Sequence, residues 1–369
     1  MTRIGVVGLG KMGLSHLAIL NAHPEAQVAA VCDSNSYVLT TLHKYTGLRV
    51  TSDYERLLTE VELDAVVIAT PPRLHSEMVR AALERGLHVF CEKPLCLNVA
   101  DSVELAALAD ERGLVNQVGY HLRFVASHRE AQRLIRAGLL GRIHHVRAEA
   151  FGGVVLRAAG SSWRAQRSEG GGCLHDYATH VIDLLTYLIG PPERVGGSVL
   201  NRIFSDDVED EVYATLYFPG GTTGQLAVNW SDDSYRKLTT RVTIWGTNGR
   251  LSVDRQELQL FLRDRPSDAA SLNKGWNIVY SAGLADGVWY YVRGEEYSAQ
   301  LDHFVRSVEA RRTPTEASFA SASQTDRVVG LIKEDAIAPR SAGDHLTYQA
   351  RPHRRKSFPR LRRFFVGSP

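Results

Sequence analysis

Three groups of residues have the types and spacing to do chemistry. The first is Gly8-Leu9-Gly10-Lys11-Met12-Gly13, which directly follows a short apolar run and opens a helical one. In that setting Gly8 permits a tight turn, Gly10 lets backbone approach a pyrophosphate, and Gly13 lets helix and strand pack closely. The N–H groups at the helix start, around Lys11 and Met12, then hold the anion. Asp33 lies 20 residues after Gly13, at the end of a second apolar run. A carboxylate there accepts hydrogen bonds from a ribose diol and repels a 2′-phosphate. Residues 34–38 contain no arginine to hold such a phosphate. The loop is therefore read as an NAD site, with NADP disfavoured. Capping of the next helix is a second use open to Asp33.

The second group is Lys93, directly before Pro94, at the carboxyl end of the predicted strand at residues 89–91. Open α/β sheets bind ligands at that edge. An ammonium there can stabilise a developing alkoxide or polarise a carbonyl. The third group is Asp176 and His180, four residues apart and so on one face of a helix. His180 suits general acid/base work because an unperturbed imidazole titrates near neutrality. Asp183 continues the stripe and is read as structural. His175 points about 100° away round the helix and is left out.

Two kinds of element must position these groups. Over the first 120 residues, short β-branched runs (residues 4–7, 28–32, 65–69, 89–91 and 115–118) alternate with helical stretches (11–22, 36–45, 74–85 and 99–112). That order predicts a doubly wound α/β domain with a parallel sheet. After about Gly141 the runs alternate polar and apolar residues, at 143–151, 195–201, 212–218, 224–230 and 238–244, with a turn at 246–249. Turns separate most of them, so the second domain is expected to be α+β with an open, mostly antiparallel sheet. Helices are expected at 174–188, 295–310 and 319–335. The predicted division is a dinucleotide-binding domain at 1–121, a substrate and oligomerisation domain at 122–345, and a basic, mobile tail at 346–369.

Composition excludes other classes. The chain has 369 residues, 44% apolar and 23% charged, as a globular protein of about two domains should. No run approaches the roughly 20 apolar residues of a membrane-spanning helix. The net charge of +2 is uneven: residues 351–369 carry seven Lys/Arg and no acid, leaving −5 on the rest. The body thus offers no broad basic face, and no nucleic-acid partner is expected. Cys32, Cys91, Cys96 and Cys173 form no C-x-x-C pair and complete no zinc pattern. They read as reduced thiols. With no secretory signal in the first residues, this points to the cytoplasm.

Four motifs together resemble the Gfo/Idh/MocA oxidoreductases: Gly8–Gly13, the run Ala69-Thr-Pro-Pro-Arg-Leu-His75, Cys91-Glu-Lys-Pro94, and the run Gly170-Gly-Gly-Cys-Leu-His-Asp-Tyr-Ala-Thr-His180. The likeness covers about residues 1–340. It implies a Rossmann domain followed by an open-sheet α/β domain. It also implies hydride transfer between NAD and a secondary alcohol or ketone of a sugar, inositol or sugar nucleotide. By resemblance, Lys93 contacts nicotinamide ribose and substrate hydroxyl, and Asp176 and His180 belong to the active site. Glu92 flanks the cofactor, and Thr70, Pro71 and His75 lie in a loop against it. A purely structural place at a helix start stays open for His75. Tyr120 and His121 would line the cleft, while Arg123 makes a structural ion pair. Arg164 would reach towards the substrate, and Gly172 would allow its close approach. No metal is implied, because the lysine can take the Lewis-acid role. Relatives that cleave glycosides with a recycled NAD, or sense NAD without catalysis, are the alternatives. Trp276, Tyr280 and Trp289 form either a stacking platform for substrate or part of a subunit interface. A homodimer or homotetramer through the open sheet is expected.

Overall fold

The structure is a computed structural model that describes residues 1–153, 163–235, 237–265, 272–292 and 294–338. The alternating first third builds a six-stranded parallel sheet of order β3-β2-β1-β4-β5-β6. Its strands are β1 (Thr2–Val7), β2 (Ala26–Cys32), β3 (Arg49–Thr51), β4 (Ala65–Ile68), β5 (His88–Cys91) and β6 (Asn116–Val118). The helices between them are α1 (Lys11–Ala22), α2 (Ser36–Thr46), α3 (Tyr54–Glu60), α4 (His75–Glu84) and α5 (Val99–Glu111). All four residues of β4 are buried, because helices cover both faces of the sheet. The short β3 and α3 carry too few apolar residues to stand out in the sequence.

An amphipathic helix the periodicity did not reveal, α6 (Ala126–Arg136), leads into the second domain. Its buried side is built largely from small and polar residues, Ser127, His128, Ala131 and Gln132, with Leu134. The strands that follow are β7 (Ile143–Phe151), β8 (Arg194–Asn201), β9 (Glu211–Tyr217), β10 (Thr223–Asn229), β11 (Thr239–Gly246), β12 (Gly249–Val253), β13 (Glu257–Leu262) and β14 (Gly275–Tyr280). They pair in the order β14-β13-β12-β11-β7-β10-β9-β8, antiparallel except for β7 with β10. Along β9 the residues alternate between buried and half-buried, so one face packs and the other is open. Helix α7 (Thr179–Ile189) covers the packed face, with Val181, Ile182, Leu184 and Leu185 in the core.

The last two helices tie the domains together. Tyr297, Leu301, Phe304 and Val305 of α8 (Glu295–Glu309) join the core formed by β1 and α1. Helix α9 (Phe319–Ile337) places Phe319 and Ala322 against α4 and α5, and Val328 and Ile332 against the second sheet. The sequence between 122 and 345 therefore does not stay within one layer: α8 returns to the Rossmann side. Among the described residues no helix is long and apolar enough to cross a membrane, and no cluster of His, Cys, Asp or Glu could hold a metal. The expected tail at 346–369 lies outside the described residues.

Candidate active site

The glycine loop joins β1 to α1 at the carboxyl edge of the parallel sheet. Gly8 has φ +85°, and a Cβ on it would sit 2.7 Å from the Ala69 carbonyl group. A Cβ on Gly13 would lie 1.7 Å from the Gly8 oxygen, so helix and loop close only without a side chain there. A Cβ on Gly10 would meet nothing within 4 Å. That open cradle at a helix N-terminus fits a pyrophosphate. Asp33 directly follows β2 and accepts hydrogen bonds from Leu9 N–H and Asn35 N–H. It braces the loop and keeps a carboxylate beside it. The cap of α2 is Asn35, which accepts from Tyr37 and Val38 N–H, so Asp33 is not needed for that task.

Lys93 leaves the end of β5 and reaches the second domain. Its Nζ donates to Asp176 Oδ1 at 2.8 Å and to the Asp176 carbonyl oxygen at 2.6 Å. Arg164 Nε donates to Asp176 Oδ2 at 2.8 Å. Burial alone pushes the Asp176 carboxyl up. The charges of Lys93 and Arg164, and then their hydrogen bonds, outweigh it and hold the group below the usual carboxylate range. Glu92, next to Lys93, accepts from His16 Nε2 at 2.7 Å. Burial raises its pKa too, but His16 and Lys93 bring the net value below normal. A Cβ on Gly119 would come within 2.9 Å of the Glu92 carboxyl, so that glycine makes room for it.

The helix carrying Asp176 and His180 was expected to be α from its start. Its first turn, Leu174–Ala178, is instead π-helical and runs into α7. Glu209 fixes that start by accepting from Leu174 N–H at 2.9 Å. His180 packs edge-on to His121, with ring centroids 4.8 Å apart, and His121 stacks on Tyr297 at 4.6 Å. Burial, then the charges of Lys93 and Arg255, hold the His180 imidazole well below its ordinary pKa. It is therefore neutral at pH 7. The unperturbed titration near neutrality expected from the sequence does not hold for this buried imidazole. The Nδ1 atom is buried without a hydrogen-bond partner.

These groups line one cavity of about 690 Å³ between the two sheets' domains. Gly8, Gly10, Lys11, Met12, Asp33, Thr70, Pro71 and Glu92 form its nucleotide side. Lys93, His121, Arg164, Asp176 and His180 form the opposite end. Four predicted site residues do not reach its wall. Gly13 lies behind the loop. His75 is fully buried, with Nδ1 2.8 Å from the Pro94 oxygen and Nε2 2.9 Å from the Thr70 oxygen. It joins the cofactor loop to the lysine turn instead of facing a ligand. Tyr120 is fully buried beneath the His180 ring, at 6.2 Å between centroids. Gly172 is a glycine because Glu209 would lie 2.3 Å from its Cβ, not because substrate approaches it. Asp183 and Arg123 pair with each other, at 2.8 Å between Arg123 Nε and Oδ2, and lie away from the cavity. His175 is also absent from its wall.

Sequence reading missed Thr240, Leu238 and Arg255, which the second sheet contributes to the wall, and gave Tyr297 of α8 no place there. Arg255 sits in the β12–β13 turn and pairs with Glu296 at the start of α8. Trp276, Tyr280 and Trp289 do not line this cavity, so the stacking-platform alternative does not apply to it. Trp289 packs on His23 at 4.6 Å, and Trp276 and Tyr280 lie exposed on the open sheet face.

Known proteins share this arrangement. Residues 2–120 match the oxidoreductase family with an NAD-binding Rossmann fold, and residues 128–252 match the GFO/IDH/MocA C-terminal domain. Levoglucosan dehydrogenase of Pseudarthrobacter phenanthrenivorans is 28% identical, over 90% of this chain and 95% of the relative. The 2,7-anhydro-N-acetylneuraminate hydratase of Escherichia coli K12 is 30% identical, over 71% of this chain and 70% of the relative. A solved levoglucosan dehydrogenase in complex with NADH and levoglucosan superposes with TM-score 0.78 at 26% identity, covering 91% of this chain and 97% of that one. With both domains matched and the nucleotide cradle in place, the chain belongs to the GFO/IDH/MocA family of NAD-dependent oxidoreductases.

Proposed function

We propose that the chain oxidises a secondary alcohol of a sugar or anhydro sugar, or reduces the matching ketone, with Lys93, Asp176 and His180 as the reacting group. The observation that carries this reading is the contact of Lys93 Nζ with Asp176 Oδ1 at 2.8 Å, in one cavity with His180 and the glycine loop. When bound, NAD supplies the acceptor or donor of hydride. Lys93 donates to the substrate oxygen and stabilises the alkoxide character that grows there. Asp176, kept ionised by its two cations, fixes the ammonium. His180, held neutral, takes the hydroxyl proton in oxidation and returns it in reduction. Arg164 orients Asp176 through Oδ2. His121, stacked on Tyr297, closes one wall.

The test is nicotinamide absorbance with NAD⁺ and NADP⁺ against levoglucosan, free hexoses, inositols and nucleotide sugars, beside Lys93→Ala. Turnover with one sugar class and NAD⁺, lost in the variant, is expected. Turnover that persists in the variant overturns the assignment. A second reading is favoured by the hydratase at 30% identity. Net hydration leaves no net redox change, so a flat absorbance with product formed and NAD retained on the purified protein would select it.

We further propose that the open face of the second sheet packs against a second copy of the chain. Trp276, Ile278 and Tyr280 project from the edge strand β14 and are 53%, 52% and 63% exposed. An apolar row of this kind on an edge strand favours a partner.

A further inference from the structure

Away from the active site, a second cavity of about 950 Å³ opens between α6, the turn after α8 and the start of α9. Arg129, Arg133 and Arg136 recur at i, i+4 and i+7 along α6 and line one wall. Arg312 faces the same space from the turn after α8. Arg129, Arg133 and Arg312 also border a neighbouring cavity whose wall carries Glu130, Asp286, Glu295, Glu296 and Asp302. Arg133 is engaged by Glu130 of its own helix, at 2.7 Å through both Nε and Nη2. Arg123 also lines the cavity, but its charge is taken by Asp183. Glu316 is the acid on the wall among the described residues. Arg136 and Arg312 form no ion pair or side-chain hydrogen bond with any described residue.

Structural uses explain part of this cluster. Basic residues in the last turn of a helix complement its dipole, which accounts for Arg133 and Arg136. That argument fails for Arg129, which sits in the first turn of α6, at the positive end of the dipole. Arg312 follows α8, and its N–H donates to the Ser307 oxygen in the last turn of that helix, so the same dipole use is open to it. Arg129 is nevertheless held in place. Its Nε donates to the Arg123 carbonyl oxygen at 3.2 Å, and its guanidinium lies 4.9 Å from the Phe124 ring centre. A planar cation fixed in this way suits a phosphate or carboxylate edge.

A second feature points in the same direction. Helix α9, 19 residues long, begins at this cavity, with Ser321 of its first turn on the wall and no acid in that turn. Asn116 and Ser318 cap two of its amides, so its contribution is the positive end of a long dipole. His303, on the same wall, registers the field. Burial lowers its pKa first, and the charges of Arg312 and Arg129 lower it further, against Glu316 and Asp302.

We propose that this cavity binds a small multivalent oxyanion of phosphate or phosphate-ester type, held by Arg129, Arg136 and Arg312, separately from the dinucleotide loop. The experiment is calorimetric titration of inorganic pyrophosphate into the full chain saturated with NAD, so that the Gly8–Gly13 loop is already occupied. Glucose 6-phosphate and sulfate are titrated in parallel at equal ionic strength. Saturable binding of one equivalent is expected, at least tenfold weaker in the double variant Arg136→Gln, Arg312→Gln, with NAD affinity and melting temperature unchanged. The single variants, each expected to weaken binding severalfold, cover the case in which the pair fails to fold. Preference for pyrophosphate over glucose 6-phosphate assigns a free or terminal phosphate, and the reverse assigns an ester. Absence of saturable heat, equal affinity in the variants, or weak binding shared equally with sulfate (an adventitious ion only) overturns the proposal.

Discussion

Lys93 grips Asp176 twice, at its carboxylate and at its main-chain carbonyl, and so joins the end of β5 in the Rossmann sheet to the π-turn that starts α7. The reacting group proposed above is therefore assembled across the domain junction. Neither domain contains it alone. The lysine side chain is 12% exposed and the aspartate 6%, so the pair is largely shielded from water. Shielding strengthens the field that this ammonium applies to a neighbouring oxygen.

Replacing that ammonium tests its role. Lys93→Met keeps the length of the chain and removes the donor. Loss of one donor aimed at a developing oxyanion costs about 10²–10³-fold in kcat. Steady-state rates with the sugar found in the absorbance panel should fall by that order, while NAD affinity, read by fluorescence, stays close to wild type. A Lys93→Met enzyme that keeps its kcat would remove lysine from the mechanism.

The depressed pKa of His180 sets a pH dependence. A base is useful while it is unprotonated, so its acid limb lies at its own pKa. Burial and the cations of Lys93 and Arg255 place that pKa well below 6.5. The kcat/KM for alcohol oxidation should therefore stay level as pH falls through 6.5, and decline only at lower pH. Arg255→Gln removes one of the two cations, so its acid limb should move to higher pH. A limb that does not move, or moves downward, would contradict this account of His180.

Asp183 lies on the same sequence stripe as Asp176 and His180 but does different work. It is fully buried and holds Arg123, whose third contact is the Glu316 carbonyl oxygen at 2.7 Å. Removing one partner of a buried ion pair costs about 3–5 kcal/mol. Asp183→Asn should lower the thermal midpoint accordingly, and the surviving folded enzyme should keep its kcat at a lower temperature. If stability were unchanged while kcat collapsed, Asp183 would instead belong to the reacting group.

The difference between Asp176 and Asp183 shows where the sequence was legible. The glycine loop, Asp33 and Lys93 are readable because each combines a local residue type with a strand end, and strand ends follow from apolar runs. The two sheet types are readable for the same reason: continuous apolar runs mark a strand covered on both faces, and alternation marks one covered on a single face. Helical spacing placed Asp176, His180 and Asp183 on one stripe, yet the π-turn and the position of Arg123 decide which of them meets the cavity. His75 and Gly172 stand next to site motifs but turn towards backbone and towards Glu209. Arg255 had no local signal at all. It reaches the site from a hairpin turn more than 70 residues beyond His180, and only the closure of the second sheet onto α8 brings it there.

The open sheet face gives the last prediction. Trp276 packs edge-on against Phe261, at 5.3 Å between ring centres, and continues outward into solvent with Ile278 and Tyr280. Large apolar side chains left in water on an unpaired edge lose free energy that a second copy would recover, at about 25 cal/mol per Å² of apolar surface covered. Sedimentation should therefore give a mass of at least twice the 40.8 kDa of the chain. The double variant Trp276→Asp, Ile278→Asp places two charges where the partner would sit, and should return the protein to a monomer with its melting transition still cooperative. A wild-type protein that sediments only as a monomer at micromolar concentration would show that this face serves some other purpose. A variant that stays oligomeric would move the interface elsewhere on the molecule.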